Sequence, residues 1–218
     1  MTGARLPTIT RILRREAAGL REPVLNRVKR ETRDPYRILI SCVISLRTKD
    51  EVTDAASRRL FALATTPRAM IRLGAARIAR AMYPAGFYRT KARQIVAMSR
   101  IILDGHAGRV PPRLDDLLAL PGVGIKTANL VLGEGFGQPA ICVDIHVHRI
   151  SNRLGLIRTR TPEESEAALR CVLPRRLWID WNRWLVPFGR AVCRPVSPWC
   201  SRCALRPGCP RRGVRTSR

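Results

Sequence analysis

Cys193, Cys200, Cys203 and Cys209 form the pattern C-x6-C-x2-C-x5-C, and this run constrains the end of the chain more than any other feature. Pro195, Pro198, Pro207 and Gly208 punctuate it, so no regular helix can run through it. A stretch so short and loop-like cannot bury a core of its own. Four thiolates suit a metal centre that would tie the loops together, either an iron–sulfur cluster or structural zinc. Zinc sites commonly present two close Cys pairs, and only the C-x2-C step is close here. The wider loops suit wrapping a bulkier cubane, which makes iron–sulfur the expected occupant. Cys42, Cys142 and Cys171 sit among apolar residues and read as small core side chains.

The charge balance narrows the partner. The chain of 218 residues carries 41 Lys+Arg against 16 Asp+Glu, a net charge of +25. An acidic small-molecule site does not need that excess, whereas a polyanion does, so nucleic acid leads. Residues 55–103 hold ten cations and no acid, and residues 181–218 hold nine arginines and no acid, which suggests one or two basic faces. With 45% hydrophobic residues spread along its length, the chain is not expected to be disordered. No apolar run approaches the roughly 20 residues that span a bilayer, so no membrane partner is expected. Arginines at 5, 11, 14 and 15 interrupt any signal-peptide pattern, and the expected location is cytoplasmic, nucleoid-associated through DNA. Only four cations are lysines: Lys29, Lys49, Lys91 and Lys126. Each is worth inspecting, because only lysine offers an amine that can lose its proton and act as a nucleophile.

The patterning is helical. Apolar residues recur at three- and four-residue spacing in 35–46, 50–63, 91–103, 125–132, 163–173 and 177–188, with no sustained two-residue alternation. Asp34-Pro35 reads as N-cap and first helical residue. Thr161-Pro162-Glu163-Glu164 does the same, with Glu164 at capping-box spacing. Breaks are expected near Pro67, Gly74, Pro84-Ala85-Gly86 and Gly105–Pro112, and the tail from Pro207 reads as frayed.

Leu117–Leu120 closes one short helix, Pro121-Gly122-Val123-Gly124 turns the chain, and Ile125 opens the next. Glycines let backbone approach a partner closely, and N–H groups at a helix start attract an anion. Such a hairpin suits a DNA phosphate. Lys126 falls in the first turn of the second helix, where the helix dipole disfavours a cation by roughly 0.3–1 kcal/mol. That setting suits a nucleophilic amine, and equally a phosphate-contacting lysine. Asp144, within Ile141–His148, reads as the N-cap of a helix from Ile145 to Arg153 and as a carboxylate that needs a partner. His146 reads as a helper near the site or a packed residue, and His148 as surface.

These stretches together resemble the endonuclease III family, the helix-hairpin-helix DNA glycosylase/AP lyases. The strongest are Leu120-Pro121-Gly122-Val123-Gly124-x-Lys126-Thr127-Ala128-Asn129, Val143-Asp144-x-His146-x-x-Arg149 and the four-Cys spacing. Weaker support comes from Ser45-Leu46-Arg47-Thr48-Lys49-Asp50 and from Gly86-Phe87-Tyr88-Arg89-Thr90-Lys91-Ala92. The resemblance implies an all-α fold of two helical domains with a DNA-binding groove between them. A six-helix barrel with the hairpin would span 28–138. Residues 1–27 and 139–218 would form a domain carrying a [4Fe-4S] cluster on Cys193, Cys200, Cys203 and Cys209. It further implies a monomer acting on double-stranded DNA that contains damaged bases or abasic sites, with the lesion flipped from the stack.

In that resemblance Lys126 attacks the sugar and Asp144 activates it. Leu120, Gly122, Val123 and Gly124 grip a phosphate, and Arg47, Phe87 and His146 contact DNA. Arg47 stands where the family often carries Gln, and Phe87 where an intercalating Leu is usual. Oxidised pyrimidines are the expected lesions. The alternatives are a monofunctional mismatch glycosylase of the same superfamily and a non-catalytic iron–sulfur DNA-binding module. The mismatch enzymes usually lack a lysine at the position of Lys126, which weighs against the first.

Overall fold

The computed structural model describes residues 5–20, 28, 31, 32 and 34–218. Lys29 and, apart from Val28, the residues around the expected 27/28 boundary lie outside them. The described residues are helical and contain no strand. The chain divides into two compact units, Val24–Gln138 on one side and Met1–Pro23 with Pro139–Arg218 on the other.

Six described helices belong to the first unit: α2 (Pro35–Ser45), α3 (Asp50–Leu63), α4 (Pro67–Met82), α5 (Tyr88–Gly105), α6 (Leu114–Leu118) and α7 (Ile125–Phe136). α2 is its centre. Ile38, Leu39, Ile40, Val43 and Ile44 are fully buried on successive faces, so this helix is apolar all round rather than amphipathic. Each such side chain contributes roughly 1.5–3 kcal/mol of burial. α2 packs on α7, and α4 packs along α5. Tyr36 and Ser99 tie α2 to α5 by a buried hydroxyl–hydroxyl hydrogen bond of 2.6 Å.

The caps follow the sequence. Asp34 accepts from the Tyr36 N–H at 2.9 Å, with Pro35 opening the helix. Pro67 both follows the end of α3 and starts α4 behind the Thr66 cap. Gly74, expected as a break, kinks α4 with a φ of +77°.

The second unit holds α1 (Leu6–Ala18), α8 (Ile145–Arg153), α9 (Pro162–Val172) and α10 (Trp178–Ala191). Neither α1 nor α4 was among the periodic segments. α1 carries a narrow stripe, Leu6, Ile9 and Leu13, on an otherwise arginine-rich surface. That stripe joins Val147, Ile150, Leu169, Trp181, Leu185 and Phe188 in one core. Thr161 caps α9 by accepting from the Glu164 N–H at 3.1 Å. Glu164 reaches back to the Arg160 N–H at 2.8 Å, one residue before the N–H that the capping-box spacing predicts.

Two readings are corrected. Cys171 is exposed on α9, while Cys42 and Cys142 are buried as expected. The tail is not frayed: Arg218 donates to the Pro198 carbonyl at 2.9 Å and accepts from the Ser201 N–H at 2.8 Å, which folds it back on the cysteine loop. No helix of the described residues is long and apolar enough to cross a membrane.

Candidate nucleic-acid interface and thiol pocket

The hairpin between α6 and α7 is set by Gly122. Its φ is +83°, and a Cβ there would lie 2.7 Å from the Gln94 side-chain amide on α5. No side chain fits that turn. Leu120 and Val123 are buried, and the Val123 N–H donates to the Leu120 carbonyl at 3.1 Å. Their side chains hold the hairpin on the core, so they offer an outside partner backbone only. Gly124 is the N-cap of α7 and brings no side chain to its first N–H groups. That leaves the helix start open to an external acceptor. Lys126 is exposed in the first turn, which contains no acidic residue.

Arg47 and Phe87 come together elsewhere in the same unit. Both hold left-handed backbone, with φ of +51° and +56°. Neither is glycine, asparagine or aspartate, and this conformation costs such residues roughly 1–2 kcal/mol each. Phe87 is 61% exposed, and the Arg47 guanidinium carbon lies 5.6 Å from its ring centroid. The segments carrying them are joined by Lys91 on α5. Its buried amine donates to the Ile44 carbonyl at 2.7 Å, to the Leu46 carbonyl and to Thr48 Oγ1 at 3.0 Å. Burial lowers this amine from the ordinary lysine range to about 8. Thr48 Oγ1 also accepts from the Gly86 N–H at 3.1 Å. Sequence reading marked Lys91 as one of four lysines and as part of the Gly86–Ala92 stretch, and assigned it no role.

In the second unit Asp144 is the N-cap of α8. One carboxylate oxygen accepts from the His146 N–H at 2.9 Å and the Val147 N–H at 2.8 Å. Ile145 beside it is 67% exposed. His146 is half-buried, with Nδ1 3.1 Å from Arg149. His148, read as surface, is half-buried and pairs with Ser165 Oγ at 2.6 Å.

Two arginines one turn apart on α8 hold the start of the cysteine loop. Arg149 donates to the Cys193 carbonyl at 2.9 Å and to the Gly189 carbonyl at 3.1 Å. Burial lowers its pKa. Arg153 donates to the Arg194 carbonyl at 2.6 Å, the Pro195 carbonyl at 2.7 Å and Cys193 Sγ at 3.4 Å. Arg153 escaped the sequence reading, although its i,i+4 spacing from Arg149 was visible.

Cys193, Cys200, Cys203 and Cys209 line one pocket, and the tail supplies Val214 to its wall. None of the four is in a disulfide. Burial pushes the Cys203 thiol up to about 11, and neighbouring thiols add to the rise. Burial raises Cys209 as well. Four crowded soft donors in apolar walls suit a group that brings its own positive charge.

The sequence matches the model of the HhH-GPD superfamily of base excision DNA repair proteins over residues 40–175. Endonuclease III of Thermotoga maritima is 50% identical, covering 81% of this chain and 83% of that protein. Endonuclease III of Escherichia coli is 37% identical, covering 80% and 83%. Among solved structures, a trapped endonuclease III–DNA covalent intermediate superimposes with a TM-score of 0.76 at 37% identity, covering 81% of this chain and 83% of that one. A thermostable thymine-DNA glycosylase superimposes with a TM-score of 0.81 at 26% identity, covering 94% of each. The chain therefore belongs to the HhH-GPD superfamily of base excision DNA repair proteins, as a member of its endonuclease III family.

Proposed function

We propose that this DNA glycosylase/AP lyase works through Lys126 as nucleophile on double-stranded DNA carrying oxidised pyrimidines or abasic sites. The observation that carries the reading is an exposed amine in the first turn of a helix whose start is an open glycine cap. The Lys126 amine attacks the sugar C1′, the bond from C1′ to the base breaks, and the base leaves. The C1′–O4′ bond then opens, O4′ takes the second amine proton, and the imine that results acidifies the C2′ proton. Loss of that proton breaks the C3′–O bond and releases the 3′ phosphate, nicking the strand. Asp144 takes the proton from the attacking amine and stabilises the cationic sugar. Gly122, Gly124 and the backbone of Leu120 and Val123 hold a phosphate. Arg47 and Phe87 fill the space left in the stack when the lesion flips out. His146 is assigned to DNA contact at the start of α8, and the enzyme acts as a monomer.

Cys193, Cys200, Cys203 and Cys209 are assigned to a [4Fe-4S] cluster, supported by the single pocket they line. When bound, the cluster supplies cross-links that hold a loop with no core of its own. The expected preparation is yellow-brown with iron and sulfide bound, and one zinc per colourless chain would overturn the assignment.

The close superposition with a thymine-DNA glycosylase supports a second reading, excision from mismatches without strand cleavage. Borohydride trapping on a duplex with one abasic site separates the two. A covalent protein–DNA band from the wild type that vanishes in Lys126→Ala is expected. Absence of a band from cluster-loaded wild type would favour the second reading.

A further inference from the structure

Lys91 is a buried cation held by three neutral oxygen acceptors, and the chemistry proposed for Lys126 does not use it. A buried ammonium is costly unless its donors are satisfied. Here three acceptors meet it: the Ile44 carbonyl at the end of α2, the Leu46 carbonyl one residue before Arg47, and the Thr48 hydroxyl one residue after. The amine thus grips Arg47 from both sides along the chain. Lys91 itself sits in the first turn of α5, four residues after Phe87, and its own N–H donates to the Phe87 carbonyl at 3.0 Å. Thr48 closes the loop by accepting from Gly86. Gly86 is pressed so close that a Cβ on it would lie 2.5 Å from the Arg47 carbonyl oxygen. Two exposed side chains on strained backbone are thereby fixed against each other by one buried amine.

We propose that Lys91 is a positioning residue for base flipping: it clamps the Arg47 and Phe87 segments so that both side chains enter the DNA stack as one rigid wedge. This rests on reading Arg47 and Phe87 as the wedge. Strain at φ above zero persists only where the surroundings over-determine it. Three hydrogen bonds from one cation supply that here, each charge-assisted and stronger than a neutral one. Without them Arg47 and Phe87 relax independently, and the wedge loses its preorganisation rather than its surface.

The test compares Lys91→Met, Gly86→Ala, Phe87→Ala and Arg47→Ala with the wild type. Each is assayed below its own melting transition, with the folded fraction set by circular dichroism. Three readouts are used: excision of an oxidised pyrimidine from a duplex, nicking of a preformed abasic site in a single strand, and fluorescence of 2-aminopurine opposite an abasic site in a duplex. A wedge acts only on stacked DNA. Lys91→Met is expected to lower duplex excision at least tenfold and to remove most of the 2-aminopurine rise, while single-strand nicking changes less than twofold.

Gly86→Ala, which separates the same segments with the amine intact, is expected to share that signature. Lys91→Arg, which keeps charge and donors, should recover part of it. Equal losses on duplex and single strand would reduce Lys91 to fold maintenance and overturn the proposal. If Phe87→Ala and Arg47→Ala leave duplex excision unchanged, the wedge reading itself fails. If they lower it and both Lys91→Met and Gly86→Ala do not, the wedge stands and the clamp falls.

Discussion

Asp144 caps α8 through a single carboxylate oxygen, which separates its structural work from its charge. Asparagine caps a helix about as well as aspartate, so Asp144→Asn should alter stability by less than about 0.5 kcal/mol. General acid–base groups contribute about 10²–10⁴ in rate, so excision should fall by at least about 10²-fold. Thermal melts beside single-turnover excision check this, and an unchanged rate would reduce Asp144 to a cap. At this scale the sequence revealed side chains that act through local geometry. Asp144 and Thr161 were legible as caps because a cap is a short-range pattern. Lys91 and Arg153 were not, because their partners lie 43–47 and 40–42 residues away. Cys171 was misread because apolar neighbours in sequence need not share its face of a helix.

Among the elements, the hairpin shows how one residue fixes a binding geometry. Gly122→Ala forces a side chain into left-handed backbone, costing about 1–2 kcal/mol, and drives its Cβ into Gln94. DNA affinity should fall at least tenfold, read by a binding titration beside a denaturant melt. Gly124→Ala is the control: its φ is −101° and a Cβ there meets nothing within 4 Å, so the loss should be smaller. Equal losses would mean that the turn shape is not what binds. Helices with sustained periodicity, such as α2, α3 and α9, were legible to within a residue or two, and caps sharpened the starts of α2 and α9. α1 escaped because its apolar stripe is three residues wide among arginines, and α4 because Gly74 breaks its period in the middle. The tail looked like coil because its backbone bonds go to Pro198 and Ser201, which no local pattern announces.

For the whole molecule, the net charge of +25 sets the response to salt. An interface that neutralises 6–10 phosphates loses about 10³–10⁵ in affinity between about 50 and 200 mM salt. Duplex binding is expected to fall on that scale, with log K declining at about −0.9 per phosphate against log salt. Fluorescence anisotropy on a lesion-free duplex reads the slope, and a flat response would contradict a basic binding face. Fold class and partner class were legible from charge, period and cysteine spacing, because each is a property summed over many residues.

The fold-back of the tail sets Trp199 apart. The three other tryptophans, Trp178, Trp181 and Trp184, lie buried on α10. Trp199 lines the thiol pocket, with the guanidinium carbons of Arg202 at 4.1 Å and Arg218 at 4.8 Å from its ring centroid. The protein thereby carries its own optical gauge. Subtracting the emission of a Trp199→Phe variant from that of the wild type leaves the signal of one indole, which follows the opening of the cysteine loop without any added dye.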